Sequence, residues 1–445
     1  MLDILTELSN TTKKTEKQKI LSSLSPEQAK MFKRIAFLTY DPSIDFYVKE
    51  FKSADEHHDA VPLGEVLDDL EKLIAGRVFT GNQAKKWVES QHELLSQNDA
   101  EVFRRVVRRD LRCGISAKSI NKQFPGTVYE HPYMRCSSFS AANLKNVKYP
   151  CVSQTKMDGL YCDVIITDKV EYRSRNGSFL LYNNEQWDDK LIELAQGNVL
   201  MGEVVATEPD SDKLLDRASS NGYLNSNDVD LSRVRFFIWD MVPVEEFEKR
   251  KCTKPYIERL HNAVNLLNQD LEDPQWKIVD SVMCHDQDTI INHFRENREA
   301  GEEGTIIKDQ NSPWKPGTSK DQIKVKVVFE AEFRLVGYKE GTGKNKGRLG
   351  SLEFESDEGE VVVSAGTGFK EKDRDQLWSV VDQAIKEKWI ATIRANDITY
   401  PDPGEKMSLF LPRFVEWRTD KNEADSREKI VEQVQSFTDA LKMIK

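Results

Sequence analysis

Residues 156–159 read Lys-Met-Asp-Gly, which brings a lysine amine close to a carboxylate and a glycine. The tetrapeptide stands between two β-rich runs, residues 151–156 and 162–167, and Asp-Gly favours a hairpin turn because both residues tolerate positive φ. The amine of Lys156 is therefore expected at the mouth of a strand pair, beside Asp158. A lysine that has lost its proton can attack phosphorus and form a phosphoramide, which divides one difficult transfer into two easier ones. The alternative is an exposed turn, since K-x-D-G arises by chance in roughly one chain in ten of this length.

Two glutamates and a further lysine follow in strand-like surroundings. Glu203 stands at the start of a β-rich run, and Glu303 and Lys308 flank a buried-strand pattern. Between them, residues 234–242 form a nearly continuous apolar strand that contains Trp239. Each side chain alone has an ordinary explanation, either a solvated carboxylate at a strand end or a tryptophan in the core. Their order along the chain favours a shared site.

Lysines alternate with apolar residues over residues 323–327. Side chains of a strand point to opposite faces in turn, so Lys324 and Lys326 are expected on one face and the apolar residues on the other. Two ammonium groups would then point into one space, although a solvated strand face is the common alternative. Near the C-terminus, Arg418 and Lys421 form an R-x-D-K sequence.

Composition is compatible with an intracellular enzyme and does not by itself identify one. The 445 residues suffice for about three domains, and the 38% hydrophobic content allows sizeable cores. No apolar run approaches the ~20 residues of a membrane span, and the start of the chain has no signal-peptide pattern. Six scattered cysteines without a C-x-x-C pair predict reduced thiols and no structural zinc. We therefore expect a cytoplasmic protein that has no membrane contact.

A net charge of −11 argues against a nucleic-acid partner, but the distribution of basic residues argues for one. Residues 101–114 are predicted to form a helix that Gly114 ends, with apolar residues on one arc and arginines on the other. The arginines are Arg104, Arg105, Arg108, Arg109 and Arg112. Guanidinium groups on one face suit a row of phosphates without reading base sequence. The alternative is a solvated basic face.

Three zones follow from the element pattern. Residues 1–130 are helix-like, and Ser25-Pro26-Glu27-Gln28 combines an N-cap, a first-turn proline and a capping-box glutamine. Residues 131–328 alternate strands and helices and are predicted to form an α+β domain that contains the chemistry. Residues 329–445 contain short strands, glycine-rich turns and one helix around residues 373–389, which suits a small β-barrel.

The motifs follow one another in a fixed order: the Lys156 motif, the two glutamates with the aromatic strand between them, the strand with two lysines, and R-x-D-K. This series resembles that of the covalent nucleotidyltransferases, which comprise DNA ligases, RNA ligases and messenger-RNA capping enzymes. Within that superfamily it is most similar to ATP-dependent DNA ligases, above all those of T-even-type bacteriophages, and the likeness spans nearly the whole chain. Residues 104–114, 119–122, 239–243 and 410–413 carry the part of the likeness that favours DNA ligase. The resemblance implies an all-α DNA-binding domain, an adenylation domain and a C-terminal OB-fold.

The implied activity is the sealing of nicks in duplex DNA, with ATP as the nucleotide and Mg²⁺ as the cofactor, by a monomer. The sequence leaves open whether a sliding clamp or another replication protein is a partner. Lys156 would be the nucleophile, with Asp158 as a catalytic neighbour, and Lys324 and Lys326 would hold the α-phosphate. Glu203 and Glu303 would bind Mg²⁺ or the ribose. The remaining nucleotide contacts would come from Gln154 to the adenine amino group, Trp239 by stacking, Lys308, Arg175 to the ribose or nick phosphate, and Arg418 and Lys421 to the pyrophosphate.

One position departs from the family pattern. Phage relatives have K-x-D-G-x-R, whereas this chain has Tyr161 in place of the arginine. Tyr161 is still expected to contact DNA, but a tyrosine can stack or hydrogen-bond and cannot neutralise a phosphate. Two other functions remain open, an RNA ligase or capping-type nucleotidyltransferase and a non-catalytic DNA-binding protein that has kept the fold.

Overall fold

A computed structural model describes residues 1–48, 50–180, 182, 184–226, 228–271, 273–342, 345–399 and 406–442 of the chain. The described elements comprise helices in the first part, two mixed sheets with helices in the middle, and a further sheet with two helices at the end. Among all the residues that the structure describes, no helix combines the length and the apolar character that a membrane crossing requires.

The elements described between residues 2 and 123 are all helical. They are α1 (Leu2–Ser9), α2 (Lys14–Ser22), α3 (Pro26–Tyr40), α4 (Leu63–Asp69), α5 (Gly81–Leu94), α6 (Gln97–Val107) and α7 (Ala117–Gln123), and a π-helical turn over Leu70–Ala75 extends α4. The predicted capping box begins α3: Ser25 Oγ accepts from the Gln28 backbone N–H at 3.2 Å, and the Gln28 side chain accepts from the Ser25 N–H at 3.0 Å. This part of the helical prediction is confirmed.

The predicted helix over residues 101–114 is wrong beyond Val107, where α6 ends. Arg109 and Arg112 adopt positive φ values of 54° and 52°, a left-handed conformation that stops a helix. Hence Gly114 does not provide the stop, and the guanidinium groups do not form a single helical row. The buried apolar side of the segment is confirmed by Phe103, Val106, Val107 and Leu111.

The five arginines instead divide by environment. Arg104 and Arg105 both form ion pairs with Glu101 on the same helix. Arg109 is directed inward, and its Nη2 donates to the backbone carbonyl of Asp41 at 2.8 Å. Arg108 and Arg112 are exposed. Only these last two therefore present open guanidinium groups to a phosphate backbone.

Two five-stranded sheets form the middle of the chain. Their strands are β1 (Met134–Ser138), β2 (Cys151–Thr155), β3 (Leu160–Ile166), β4 (Val170–Arg173), β5 (Asn198–Ala206), β6 (Val234–Pro243), β7 (Trp276–Ile278), β8 (Ser281–Cys284), β9 (Gly304–Asp309) and β10 (Gly317–Lys326). The accompanying helices are α8 (Ala141–Leu144), α9 (Glu185–Ala195), α10 (Arg217–Leu224), α11 (Val244–Glu248), α12 (Tyr256–Asn265) and α13 (Gln287–Glu299), with a 3₁₀ turn over Leu231–Arg233 and a π-helical turn over Leu266–Leu271. One sheet has the order β1-β10-β9-β2-β8 and the other β4-β3-β5-β6-β7.

The Lys-Met-Asp-Gly segment is the crossing between these sheets, and the expected hairpin is wrong. Strand β2 pairs with β8 and β9, whereas β3 pairs with β4 and β5, so the two strands flanking the segment belong to different sheets. Gly159 is needed for space rather than for a turn, because a Cβ there would lie 2.6 Å from the carbonyl oxygen of Val204. Lys156 consequently stands between two sheets.

The C-terminal part contains β11 (Phe329–Glu340), β12 (Leu349–Glu355), β13 (Val362–Ala365), β14 (Ile390–Ala395), β15 (Asp397–Thr399), β16 (Ser408–Phe410) and β17 (Arg413–Trp417), with α14 (Glu371–Lys386) and α15 (Arg427–Lys442). Five of the strands pair in the order β13-β12-β11-β14-β17, and β15 pairs with β16. The pairing recorded for the described residues does not close into a barrel. The predicted helix near residues 373–389 is confirmed as α14.

Strand β6 carries a core residue on one face and a predicted site residue on the other. Its side chains alternate between buried and half-buried, with Phe236 in the core and Trp239 on the opposite face. Phe236 stacks on Trp276 with ring centroids 4.1 Å apart and an interplanar angle of 5°. This face holds β6 against β7 and thereby fixes where Trp239 projects.

Replacing Phe236 by alanine should destabilise the middle of the chain by about 3–5 kcal/mol, because it removes a fully buried ring and leaves a cavity. The change is measured as the shift of the urea unfolding midpoint by tryptophan fluorescence. Val380→Ala on α14 is the matched control, since Val380 is exposed. Equal shifts in both variants would contradict the assignment of Phe236 to the core.

Candidate active site

A cavity of about 1660 Å³ opens between the two middle sheets and extends toward both ends of the chain. Most of the predicted site residues line it, namely Gln154, Lys156, Tyr161, Arg175, Glu203, Trp239, Glu303, Lys308, Lys324 and Lys326. Arg109 also lines the cavity, while the other four arginines of the predicted helix do not. The structure therefore brings these residues together in space, and their roles stay predictions.

Lys156 and Lys326 share one carboxylate. Lys156 Nζ forms an ion pair with Glu303 Oε2, and Lys326 Nζ lies 3.0 Å from Glu303 Oε1. Burial raises the pKa of Glu303, but the two ammonium groups outweigh it and hold the pKa below its usual value. Glu303 is thus ionised and orients both amines.

Lys324 and Lys326 lie on the cavity face of β10, and Ile323, Val325 and Val327 are buried behind them, as the alternation predicted. The register extends this face across the sheet. Strand β10 pairs with β9 and β9 with β2, so that Lys324, Ile306 and Gln154 form one row. The candidate nucleophile and the candidate phosphate-binding lysines therefore belong to one sheet, next to or on strands that both pair with β9.

A buried polar network lies behind β2, and sequence reasoning missed it. Ser153 Oγ lies 2.8 Å from His293 Nδ1 and 2.6 Å from Thr305 Oγ1, and Thr155 Oγ1 donates to Asn297 Oδ1 at 2.7 Å. His293 and Asn297 are one turn apart on α13, and their side chains lie 3.2 Å from each other. Their i, i+4 spacing was the available signal for a common helix face. The network fixes β2, the strand that ends directly before Lys156.

Glu203 approaches the cavity from the other sheet. The backbone N–H of Gly159 donates to Glu203 Oε2 at 2.8 Å, which ties the carboxylate to the crossing segment. Burial raises the pKa of Glu203 to about 7, although Lys156 and the Gly159 hydrogen bond act to lower it. Asp158 pairs with Arg217, a cavity-lining residue, at 2.8 Å. Arg217 had not been predicted, since nothing in its local sequence links it to Asp158.

Lys308 is buried beneath the aromatic side of the cavity. Its Nζ lies 3.3 Å from Tyr256 Oη, 4.5 Å from the Tyr256 ring centroid and 5.6 Å from that of Trp239. Burial lowers the pKa of Lys308 to about 8, against the opposing effect of Asp240. Near neutral pH the amine thus still carries its charge inside an aromatic pocket.

Gln154 presents an unsatisfied acceptor to the same region. Its Nε2 donates to Ser281 Oγ at 2.8 Å, but its buried Oε1 has no hydrogen-bond partner within the protein. A buried carbonyl oxygen without a partner is costly, which favours a ligand N–H in this position.

Hydrogen bonds and ring contacts within the protein fix the Tyr161 side chain. Its hydroxyl donates to Asp163 Oδ1 at 2.7 Å, and His131 Nε2 lies 2.6 Å from the other oxygen of that buried carboxylate. The Tyr133 ring packs edge-on against it at 4.7 Å, and Arg175 lies 5.1 Å from the centroid of Tyr133. The Tyr161 hydroxyl is therefore engaged inside the protein, and its expected DNA contact, which stays a prediction, would have to be made by the ring.

Arg418 and Lys421 do not lie at the cavity. Both form ion pairs with Glu332 on β11, and the Lys421 pair measures 2.9 Å. The C-terminal part reaches the cavity instead through Leu411, which follows β16. The predicted contact of the R-x-D-K residues with a nucleotide is absent from this arrangement.

The chain is similar in sequence to known DNA ligases, and its fold is similar to that of a solved structure. Residues 134–326 match the family described as the ATP dependent DNA ligase domain. The DNA ligases of Enterobacteria phages T4 and T6 are 26% and 25% identical to the chain over 484 aligned positions, which cover 97% of this chain and 98% of each phage protein. The chain is thus similar to phage DNA ligases over nearly its whole length and to the ATP dependent DNA ligase domain over residues 134–326. A solved structure titled "Pmar-Lig_PreS3" has the same fold, with a TM-score of 0.72 and 24% identity over 94% of this chain and 99% of that one.

Removing the buried charge at Lys308 should stabilise the protein in a pH-dependent way. Between about pH 8 and 10.5 the unfolded chain binds a proton at Lys308 that the folded protein does not, so native stability rises with pH across that window. Lys308→Met should therefore be more stable than the parent at pH 7 by up to about 3 kcal/mol, and the difference should shrink towards pH 10.5.

The measurement is urea unfolding of both proteins at several pH values. Lys339→Met is the control, because the Lys339 side chain is exposed, and it should show no such trend. A stability difference that stays constant from pH 7 to 10 would contradict the buried, charge-disfavouring environment of Lys308.

Proposed function

We propose that the chain seals nicks in duplex DNA, joining a 5′-phosphate to a 3′-hydroxyl through a covalent lysine–AMP intermediate and an adenylated DNA intermediate. The observation that carries the proposal is the convergence of Lys156, Glu303, Lys324 and Lys326 in one cavity between two sheets. Full-length similarity to two phage DNA ligases supports DNA as the substrate. No contact in the described residues favours RNA ligation or capping over this activity.

In the first transfer, Lys156 attacks the α-phosphorus of ATP, a P–N bond forms and the P–O bond to pyrophosphate breaks. The amine must be neutral to attack, so the ammonium group of Lys156 first gives its proton to solvent water, and its ion pair with Glu303 is lost. Lys326, which shares Glu303, and Lys324 lie where cations can hold the α-phosphate. Phosphoryl transfer depends mainly on such positioning and charge neutralisation.

AMP then passes from Lys156 to the 5′-phosphate of the nick, and the 3′-hydroxyl displaces AMP to close the strand. Arg175 and Arg217 line the cavity and are available to the nick phosphate. Arg217 is held by Asp158, which gives this carboxylate a role beside the nucleophile. Tyr161 carries no positive charge. Arg217, which lies outside residues 156–159, can neutralise the nick phosphate in its place.

For the nucleotide base, we propose that adenine stacks on Trp239 and donates its amino group to Gln154 Oε1. This oxygen is buried and lacks a partner within the protein, so an exocyclic N–H would satisfy it. Lys308 lies under the same aromatic residues and adds positive charge to the pocket. Guanine presents a carbonyl at the corresponding position, which Gln154 Oε1 would repel.

The proposed cofactor is Mg²⁺, with Glu203 and Glu303 as its protein ligands. Within the described residues, no group of three or more His, Cys, Asp or Glu side chains is arranged for a metal. Two carboxylates beside a phosphate site nonetheless fit Mg²⁺, which keeps several waters and uses phosphate oxygens as further ligands. When bound, the ion would neutralise phosphate charge.

We further propose three domains: a DNA-binding domain at residues 1–130, an adenylation domain at 131–328 and an OB-fold domain at 329–445. The helical elements before residue 124 and the antiparallel strands after residue 328 support these divisions. Arg418 and Lys421 would reach the pyrophosphate only after the C-terminal domain reorients, since they now pair with Glu332.

Lys156→Ala should abolish the AMP adduct, and Lys156→Arg should do so too because a guanidinium group stays protonated. Intact-mass measurement after incubation with labelled ATP and Mg²⁺, followed by transfer to a nicked duplex, reports both adduct and sealing. Lys339→Ala serves as the control for loss of a lysine. An adduct that persists in either Lys156 variant would move the nucleophile elsewhere.

Replacing Arg108 and Arg112 together by alanine should weaken binding of nicked DNA and reduce the slope of log affinity against log salt by roughly two, one for each phosphate contact. Adenylation from free ATP should survive. Lys19→Ala with Lys30→Ala makes the same charge change at exposed positions on α2 and α3. Unchanged affinity and slope in the arginine variant would indicate a solvated basic face.

A further inference from the structure

Helix α13 is joined to both partners of the catalytic ion pair. Its His293 and Asn297 fix β2, which leads into Lys156, through the buried network. At its end, the backbone N–H of Glu302 donates to the Asn297 carbonyl at 2.8 Å, so the segment that carries Glu303 folds back on the helix. A shift of the last turn of α13 would therefore be transmitted to Glu303.

Arg298 lies on that last turn and makes two separate contacts. Its Nη1 donates to the carbonyl oxygen of Glu302 at 2.8 Å, and its Nη2 forms an ion pair with Asp397. The side chains of both ion-pair partners are about three-quarters buried, at 23% and 25% exposure. One guanidinium group thus joins the residue before Glu303 to the C-terminal part of the chain.

Asp397 belongs to the element that turns toward the cavity. It stands on β15 opposite Phe410 of β16, and the next residue, Leu411, lines the cavity. Leu411 is half-exposed and has a φ of 52°, a strained value for a side chain of this kind. In the same arrangement Glu332 retains Arg418 away from the cavity. The ion pair therefore accompanies one orientation of the C-terminal part, in which β15 and β16 face the site.

We propose that Arg298 and Asp397 are positioning residues that hold the C-terminal part in the orientation used for the two DNA steps. The pair opposes the orientation in which Arg418 and Lys421 would serve the first transfer. This inference rests on the proposed three-step ligation. Arg298 also donates to the Glu302 carbonyl. Loss of the ion pair with Asp397 therefore frees Arg298 to move, which changes the position of the segment that carries Glu303 as well as the contact with the C-terminal part.

The strength of the contact suits a reversible link. A partly exposed ion pair changes an equilibrium by up to about five-fold, which biases an orientation without locking it. A fully buried, hydrogen-bonded pair such as Arg259 with Asp240 would resist repeated opening. An enzyme that must alternate between two arrangements in each cycle requires the weaker kind of contact.

The test is Asp397→Asn in the full-length enzyme, which removes the charge and leaves the Arg298 contact with Glu302 available. Single-turnover self-adenylation from ATP should rise and sealing of a nick that already carries a 5′-adenylate should fall, so that the ratio of the two rates changes by about two- to five-fold. Asp357→Asn is the matched control: it breaks a 2.7 Å ion pair with Arg334 inside the C-terminal part, and neither rate should move.

A second variant pair checks the coupling. Arg298→Glu should shift the ratio of the two rates as Asp397→Asn does, and adding Asp397→Arg should bring the ratio back toward that of the parent. A structural defect would lower both rates together and leave the ratio unchanged. Equal losses in Asp397→Asn, an unchanged ratio, or no recovery in the double variant would each overturn the inference. Failure of the proposed function is distinguishable, since the parent enzyme would then form no AMP adduct.

Discussion

The site is organised around one carboxylate that holds two ammonium groups. Glu303 directly precedes β9, the strand between β10 and β2 in the sheet. The register brings Gly304 opposite Lys326, and the carbonyl of Gly304 accepts from the Lys156 backbone N–H at 2.9 Å. Glu303 thus has a lysine on each side, and its position follows from strand pairing rather than from loop flexibility.

Gly304 makes this register possible. Its φ is 146°, and a Cβ would lie 2.2 Å from the carbonyl oxygen of Val325. Any larger residue would force β9 and β10 apart and separate Glu303 from Lys326. Similarly, Gly159 allows the crossing segment to pass close to β5. Two glycines therefore set the distances at which opposite charges meet in the cavity.

Concentrating charge in this way is energetically unfavourable unless each group has a partner, because removal from water penalises ions. Glu303 meets that requirement through the two lysines, whereas Glu203 and Lys308 do not, and burial moves the pKa of each toward neutrality. The unsatisfied oxygen of Gln154 belongs to the same pattern. A nucleotide would supply partners that the protein lacks, which is the expected condition of a preorganised binding site.

The sequence alone determined the features that depend on local geometry. The alternation at residues 323–327 predicted the lysine face of β10, and the capping box predicted the start of α3, since backbone period and capping act within a few residues. Local patterns failed where distant contacts compete with them. Only the tertiary structure decided that residues 156–159 cross between sheets, that α6 ends at Val107, and that Arg298 meets Asp397. These outcomes depend on which strands pair and which surfaces pack, and residues far apart in the chain contribute to both.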